Sequence, residues 1–164
     1  MQQLGLFTTE LTPPKSCAFT GHRMLGEAFS ARKLKKEIKN LVLQGVDVFY
    51  NGMAMGFDLL AAEKVLELKK KYPHIRLILC IPCYQQEKSF SEKDKGRYAA
   101  IYKKADERVV LADSYYRGCM QVRNRYMAER ADVLVAYCIK DEGGAAYTVK
   151  CFKKLHPNRE IIFV

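Results

Sequence analysis

Two rhythms of apolar and polar positions alternate along the chain. Short, near-continuous apolar runs give way to longer stretches in which apolar residues recur every three or four positions. The first rhythm predicts strands buried on both faces, and the second predicts helices with one face toward a core. Ser16-Cys17-Ala18-Phe19-Thr20 is the first such run and ends at Gly21. Residues 30–44 follow as a helix, with Leu34, Ile38, Leu41 and Val42 on one stripe and Lys and Arg on the other face. Val46-Asp47-Val48-Phe49-Tyr50 predicts a second strand, and residues 57–72 a helix carrying Ala61, Val65, Leu68 and Tyr72.

The alternation continues to the end of the chain. Arg76-Leu77-Ile78-Leu79-Cys80-Ile81 predicts a strand stopped by Pro82, followed by a polar helix from Phe90 to Lys104. Arg108-Val109-Val110-Leu111 and Val133-Leu134-Val135-Ala136-Tyr137 predict strands on either side of a helix from Gly118 to Ala131. A helix over residues 145–155 and a strand Glu160-Ile161-Ile162-Phe163-Val164 close the order. Six strands separated by five helices predict an α/β fold: a Rossmann-like, doubly wound three-layer sandwich on a mostly parallel six-stranded sheet. Residues 16–164 are expected to form one domain. Residues 1–15, ending in Thr12-Pro13-Pro14-Lys15, are expected to form an extended N-terminal arm, because both prolines resist helix.

Composition narrows the class. The chain has 164 residues, 49% of them hydrophobic, which excludes a disordered or collagen-like sequence. No apolar run approaches the ~18 residues of a membrane span, and no basic stretch precedes an apolar one at the N-terminus. A cytoplasmic protein with no membrane partner is expected. Its six cysteines are then expected to be reduced, and Cys80-Ile81-Pro82-Cys83 lacks the second half that a zinc or redox site would need, so no metal is expected.

The formal charge is +10, from 28 Lys and Arg against 18 Asp and Glu. Residues 1–82 hold 12 basic and 7 acidic side chains, leaving 16 and 11 for residues 83–164, so each half carries +5 and no basic tail exists. Most of this charge reads as a solvated lysine coat on helix faces.

The chemistry-bearing residues gather after the predicted strands, the edge at which an open parallel sheet binds ligands. Thr20-Gly21-His22-Arg23 follows the first strand, and Asn51-Gly52-Met53-Ala54-Met55-Gly56-Phe57-Asp58 the second. Asp113-Ser114-Tyr115-Tyr116-Arg117 leads to Arg123-Asn124-Arg125, and Asp141-Glu142-Gly143-Gly144-Ala145-Ala146-Tyr147-Thr148 follows the fifth strand. Gly52, Gly56, Gly143 and Gly144 sit where helices begin and qualify as phosphate cradles or as tight turns. Arg23, Arg123 and Arg125 offer planar donor forks for phosphate or carboxylate; for Arg123, a structural ion pair with Asp132 or Glu129 is the alternative. Asp58 would cap its helix or meet a sugar hydroxyl or base edge. Glu63 lies five residues further, about 140° around the helix, so the two carboxylates are not expected to converge. His22 would act as an acid, base or donor, or as a hydrogen-bonded structural side chain.

Four of these loops, in order and spacing, resemble the YpsA-like family of the SLOG superfamily. The residues that carry the likeness are Thr20 to Arg23, Asn51 to Asp58 with Ala62-Glu63, Arg123 to Met127 with Asp132, and Gly143-Gly144 with Tyr147-Thr148. The resemblance covers residues 16–164 and implies a pocket for a nucleotide or nucleotide derivative, of the NAD or ADP-ribose type. Its lining would include Thr20, Gly21, His22, Arg23, Asn51, Gly52, Met53, Gly56, Asp58, Arg123, Arg125, Gly143, Gly144, Ala145 and Thr148. The chain is more distantly similar to LOG-type phosphoribohydrolases, but the position of their catalytic glutamate falls on Val149 or Lys150. Glycosidic cleavage needs a nearby carboxylate, a part that Asp58, Glu63 or Glu142 would have to take, and Asp58 and Glu63, with Arg123, are the candidate catalytic residues. A likeness to DprA-type domains implies single-stranded nucleic acid as a partner, ranked below a small nucleotide-like ligand. Related domains commonly dimerise, so a homodimer or higher homo-oligomer is expected.

Overall fold

A computed structural model describes residues 12–164. Of the expected N-terminal arm, residues 1–11 lie outside the described residues.

The strands are β1 (Ser16–Gly21), β2 (Val48–Asn51), β3 (Arg76–Ile81), β4 (Glu107–Val110), β5 (Val133–Tyr137) and β6 (Ile161–Phe163). The helices between them are α1 (Ala31–Gln44), α2 (Phe57–Lys69), α3 (Glu92–Lys104), α4 (Cys119–Arg130) and α5 (Gly144–Leu155), with a short 3-10 turn over Gln86–Ser89. Every strand pairing is parallel and the order is β4-β3-β2-β1-β5-β6, so the sheet is wholly rather than mostly parallel. This is a Rossmann-like α/β fold. Helix bounds differ from the periodicity by a few residues where caps decide. Ser30 accepts the Lys33 N–H at 3.1 Å to start α1, and Ser91 accepts the Asp94 N–H at 3.1 Å to start α3.

The strands β1, β3 and β5 bury both faces, whereas the edge strands β4 and β6 are part-exposed. Cys17 and Phe19 of β1 join Phe49, Val133 and Val135 in the larger core beneath α1 and α2, where Leu34, Ile38, Phe57 and Val65 pack. Ala18, Leu134 and Ala136 point the other way, against Met127 and Ala128 of α4 and Phe152 of α5. The period-2 alternation of a strand sends neighbouring residues to opposite helix layers, which is why these runs are apolar throughout.

The sheet grows from β1 through β4 in one direction and then returns to the other side of β1 for β5. Strand order therefore reverses between β1 and β5, whose ends are in register at Gly21 and Tyr137. The loops leaving these two strands diverge to opposite layers and open a crevice beyond their carboxyl ends.

Candidate functional site

That crevice is a cleft of about 310 Å³ lined by Thr20, Gly21, His22, Arg23, Ala54, Asp58, Met120, Arg123, Asn124, Gly144 and Ala145. Its walls come from the end of β1 and the loop after it, from the loop after β2, and from the N-terminal parts of α2, α4 and α5.

The loop after β1 is pinned on both sides. The His22 N–H donates to the Tyr137 carbonyl at 3.2 Å, and the His22 carbonyl accepts the Phe57 N–H at 3.2 Å. The imidazole Nε2 accepts the Ile139 N–H at 2.8 Å, which requires a neutral ring with its proton on Nδ1. Burial, and then the charge of Lys140, hold His22 below its ordinary pKa of 6.5. One face of the ring packs edge-on to Tyr137. Of the two readings the sequence left open for His22, the structural one matches this geometry: it staples the β1 loop to the β5 loop.

The loop after β2 serves the site largely from behind. Asn51 is wholly buried, donates to the Asp58 carbonyl at 2.8 Å and accepts the Met53 N–H at 2.8 Å. That second bond holds Met53 at φ 62, in a left-handed conformation a non-glycine residue adopts only when its surroundings compel it. Gly52 turns its carbonyl to the Arg123 guanidinium. A Cβ at this position would lie 2.7 Å from Arg123 Nη1, so the close approach needs glycine. Gly56 sits at φ 80 with its Cα against the Arg23 carbonyl, and any side chain there would overlap that backbone. Asn51, Gly52, Met53 and Gly56 thus do not line the cleft as expected. Their polar and small atoms are spent on fitting this loop to Arg23 and Arg123.

Asp58 and Arg123 are the buried charges of the site, 5% and 4% exposed. Arg123 donates to Gly52 O, to Asn124 Oδ1 at 2.8 Å and to Cys80 O at 3.5 Å, and its Nη2 reaches Met120 Sδ at 3.8 Å. Its partners are thus main-chain carbonyls and an amide, and neither Asp132 nor Glu129 is among them. Asp132 instead accepts the Lys15 and Ser16 N–H groups at 2.8 and 3.2 Å, and Glu129 pairs with Arg125 and Arg130. Asp58 Oδ2 accepts the Ala54 N–H at 3.2 Å, whereas the buried Oδ1 has no partner among the described residues. Burial lifts the carboxyl from its ordinary 3.8 to about 6, against the opposing pull of Arg123, the Ala54 N–H and Arg23. Burial also draws the Arg123 guanidinium below its ordinary value, and the Asp58 charge resists this. An unpaired carboxylate oxygen in a desolvated cleft is costly unless something donates to it.

The α5 side supplies main-chain donors. No side chain caps this helix, whose N-cap Gly143 lies at φ 95, and Gly144 and Ala145 present its first turn to the cleft. The Thr148 hydroxyl does not reach the cleft; it donates to the Gly144 carbonyl at 2.9 Å and is fully buried. Arg125 turns away as well, pairing with Glu129 at 3.2 Å and lining a separate groove with Tyr147 and Lys150. Glu63 leaves the site altogether. Arg97 holds it by two hydrogen bonds, at 2.9 and 2.7 Å, across the α2–α3 surface. Ala54, Met120 and Asn124 line the cleft without having been expected there. Met120 stands three residues before Arg123 and four before Asn124, so the three share one face of α4, a helical spacing the sequence already carried.

Sequence and structure comparisons agree with this architecture. The model of the YspA SLOG family matches residues 27–162. A UPF0398 protein of Halalkalibacterium halodurans is 30% identical over 136 residues, covering 81% of this chain and 72% of the relative. The UPF0398 protein YpsA of Bacillus subtilis is 28% identical over 128 residues, covering 74% of this chain and 71% of the relative. Among solved structures, DNA processing protein A of Streptococcus pneumoniae matches with a TM-score of 0.64 at 17% identity, covering 91% of this chain and 50% of that one. DNA processing protein A of Helicobacter pylori, described with its single-stranded DNA binding mode, matches at 0.65 and 18% identity, covering 92% and 65%. The chain thus spans half to two thirds of those proteins, and the likeness is one of fold.

Proposed function

The chain belongs to the YpsA SLOG family, and from that footing we propose that its strand-end cleft binds a nucleotide or nucleotide-derived ligand, as a sensor of that ligand. The observation that carries this reading is the buried Oδ1 of Asp58, without a partner among the described residues, in a cleft that also holds Arg23, Arg123 and the start of α5. A ligand that satisfies all of them carries an anionic group and a hydroxyl. The anion is drawn to the Gly144–Ala145 end, where main-chain N–H groups and the helix dipole favour negative charge, with Arg23 across from it. The hydroxyl donates to Asp58, where a second anion would be repelled. A phosphorylated ribose has both groups.

Isothermal titration of the full chain with AMP, ADP-ribose and NAD tests the reading. At least one is expected to bind, and Asp58→Ala is expected to weaken that binding tenfold or more, about 1.4 kcal/mol. Folded protein that binds none of them would sink it. Chromatography of the recovered ligand separates binding from turnover: release of free base would move the assignment to a hydrolase acting through Asp58.

A second reading, single-stranded nucleic acid binding, is favoured by Tyr115 and Tyr116, which stand exposed next to Arg117 in the segment between β4 and α4. The fold likeness to the Helicobacter pylori protein points the same way. Stacking on exposed aromatics beside a cation suits unpaired bases. This reading requires oligonucleotide affinity that falls steeply with salt.

A further inference from the structure

Met120 does not end the cleft; it is a shared wall. On its far side lies a second cavity of about 620 Å³, bounded by the turn after β3, the 3-10 turn and the segment after β4. Tyr84 and Tyr115 both line it, and they are 57% and 65% exposed. Two exposed aromatic side chains on one concave surface leave apolar ring area in water, which a flat apolar group would cover. The wall behind them is stiff. Gln86 donates its amide to the Gly52 carbonyl at 3.1 Å, the same carbonyl that holds Arg123, and accepts from the Tyr98 hydroxyl at 3.4 Å. Gln85 beside it is held at φ 59. Asp113 and Ser114, exposed on the rim, offer hydrogen-bonding groups to the edge of a ring.

We infer that this second cavity is a nucleobase subsite continuous with the phosphoribosyl cleft, with the base stacked on Tyr84 or Tyr115 and the ribose passing over Met120. The inference rests on the proposed function and deepens it, since it turns an anion-and-hydroxyl site into one that recognises the base as well. Arg123 ties the two halves together, because its guanidinium touches Met120 on one side and shares the Gly52 carbonyl with Gln86 on the other.

The test compares AMP with ribose 5-phosphate, which lacks the base, by isothermal titration of the full chain. Stacking by a single base predicts that AMP binds roughly tenfold or more tightly than ribose 5-phosphate. The double variant Tyr84→Ala/Tyr115→Ala is expected to bring AMP down to the affinity of ribose 5-phosphate while leaving the latter unchanged. Tyr84→Phe/Tyr115→Phe, which keeps the rings, is expected to retain the preference and so separates stacking from any change in folding. Equal affinity for the two compounds overturns the base subsite and leaves the cleft reading standing. So does a double alanine variant that weakens both compounds alike or neither. Failure of both compounds to bind overturns the cleft reading, and the subsite falls with it.

Discussion

The Asn51 side chain bridges the two ends of its own loop: its amide donates to the Asp58 carbonyl and its oxygen accepts the Met53 N–H, both at 2.8 Å. The bridge sets where Asp58 enters α2 and holds Met53 in its left-handed conformation. Replacing Asn51 with Leu strands the buried Met53 N–H and takes from the Asp58 carbonyl its donor beyond the helix. A loss of about 2 kcal/mol or more is expected in urea denaturation, together with weaker ligand binding. A variant as stable as the parent would mean the bridge is dispensable.

The Asp58 carboxyl should leave a signature in the pH dependence of stability. Its folded pKa of about 6 lies above the ordinary 3.8, so between these values the folded state holds the proton more firmly than the unfolded chain. Its contribution is therefore full below pH 4 and declines as pH rises to about 6. The rise corresponds to about 3 kcal/mol. The stability of the parent relative to Asp58→Asn is expected to fall by that order between pH 4 and pH 7, measured by denaturation at each pH. A constant difference would place the carboxyl in water.

His22 acts with the opposite sign. Its folded pKa lies below 6.5, so the stability it contributes is present above pH 6.5 and is lost as pH falls through the folded value. Nitrogen-15 NMR is expected to show a neutral ring at pH 7 with the proton on Nδ1, since Nε2 accepts from Ile139. A charged ring, or the other tautomer, would contradict the staple between the two loops.

Arg123→Met removes the largest influence opposing the rise of the Asp58 carboxyl. The Asp58 carboxyl is then expected to titrate above its parent value of about 6 in carbon-13 NMR, because Arg123 is the largest of the charges that lower it. The Gly52 carbonyl keeps its bond from Gln86, so folding should survive. An unchanged titration would mean the two groups are electrically independent.

Glu63→Gln is the contrasting case. The Arg97 pair is part-exposed, with side chains 28% and 32% accessible, and bridges α2 to α3 away from the cleft. A cost of about 1 kcal/mol or less is expected, with ligand binding as in the parent. Loss of binding would bring Glu63 back as a site residue.

The alternation of apolar runs and helical stripes was enough to determine the layered α/β fold, because burying a strand on both faces and a helix on one is a local demand of each segment. It also placed the chemistry at one edge, since residues such as Thr20, Asp58 and Gly144 follow directly on strand ends or open helices. What it could not separate was residues that face the cleft from residues that hold the cleft together. Gly52 and Gly56 read as phosphate cradles by spacing, yet they serve close approaches to Arg123 and Arg23 across the chain. Thr148 lies one turn beyond Gly144 and Arg125 directly follows Asn124, but they spend their donors on Gly144 and Glu129. The orphaned oxygen of Asp58 exists only because segments distant in the sequence, the β1 loop, α4 and α5, close around the same cleft. Desolvation is a property of everything packed around a group, and only the tertiary structure assembles that surrounding.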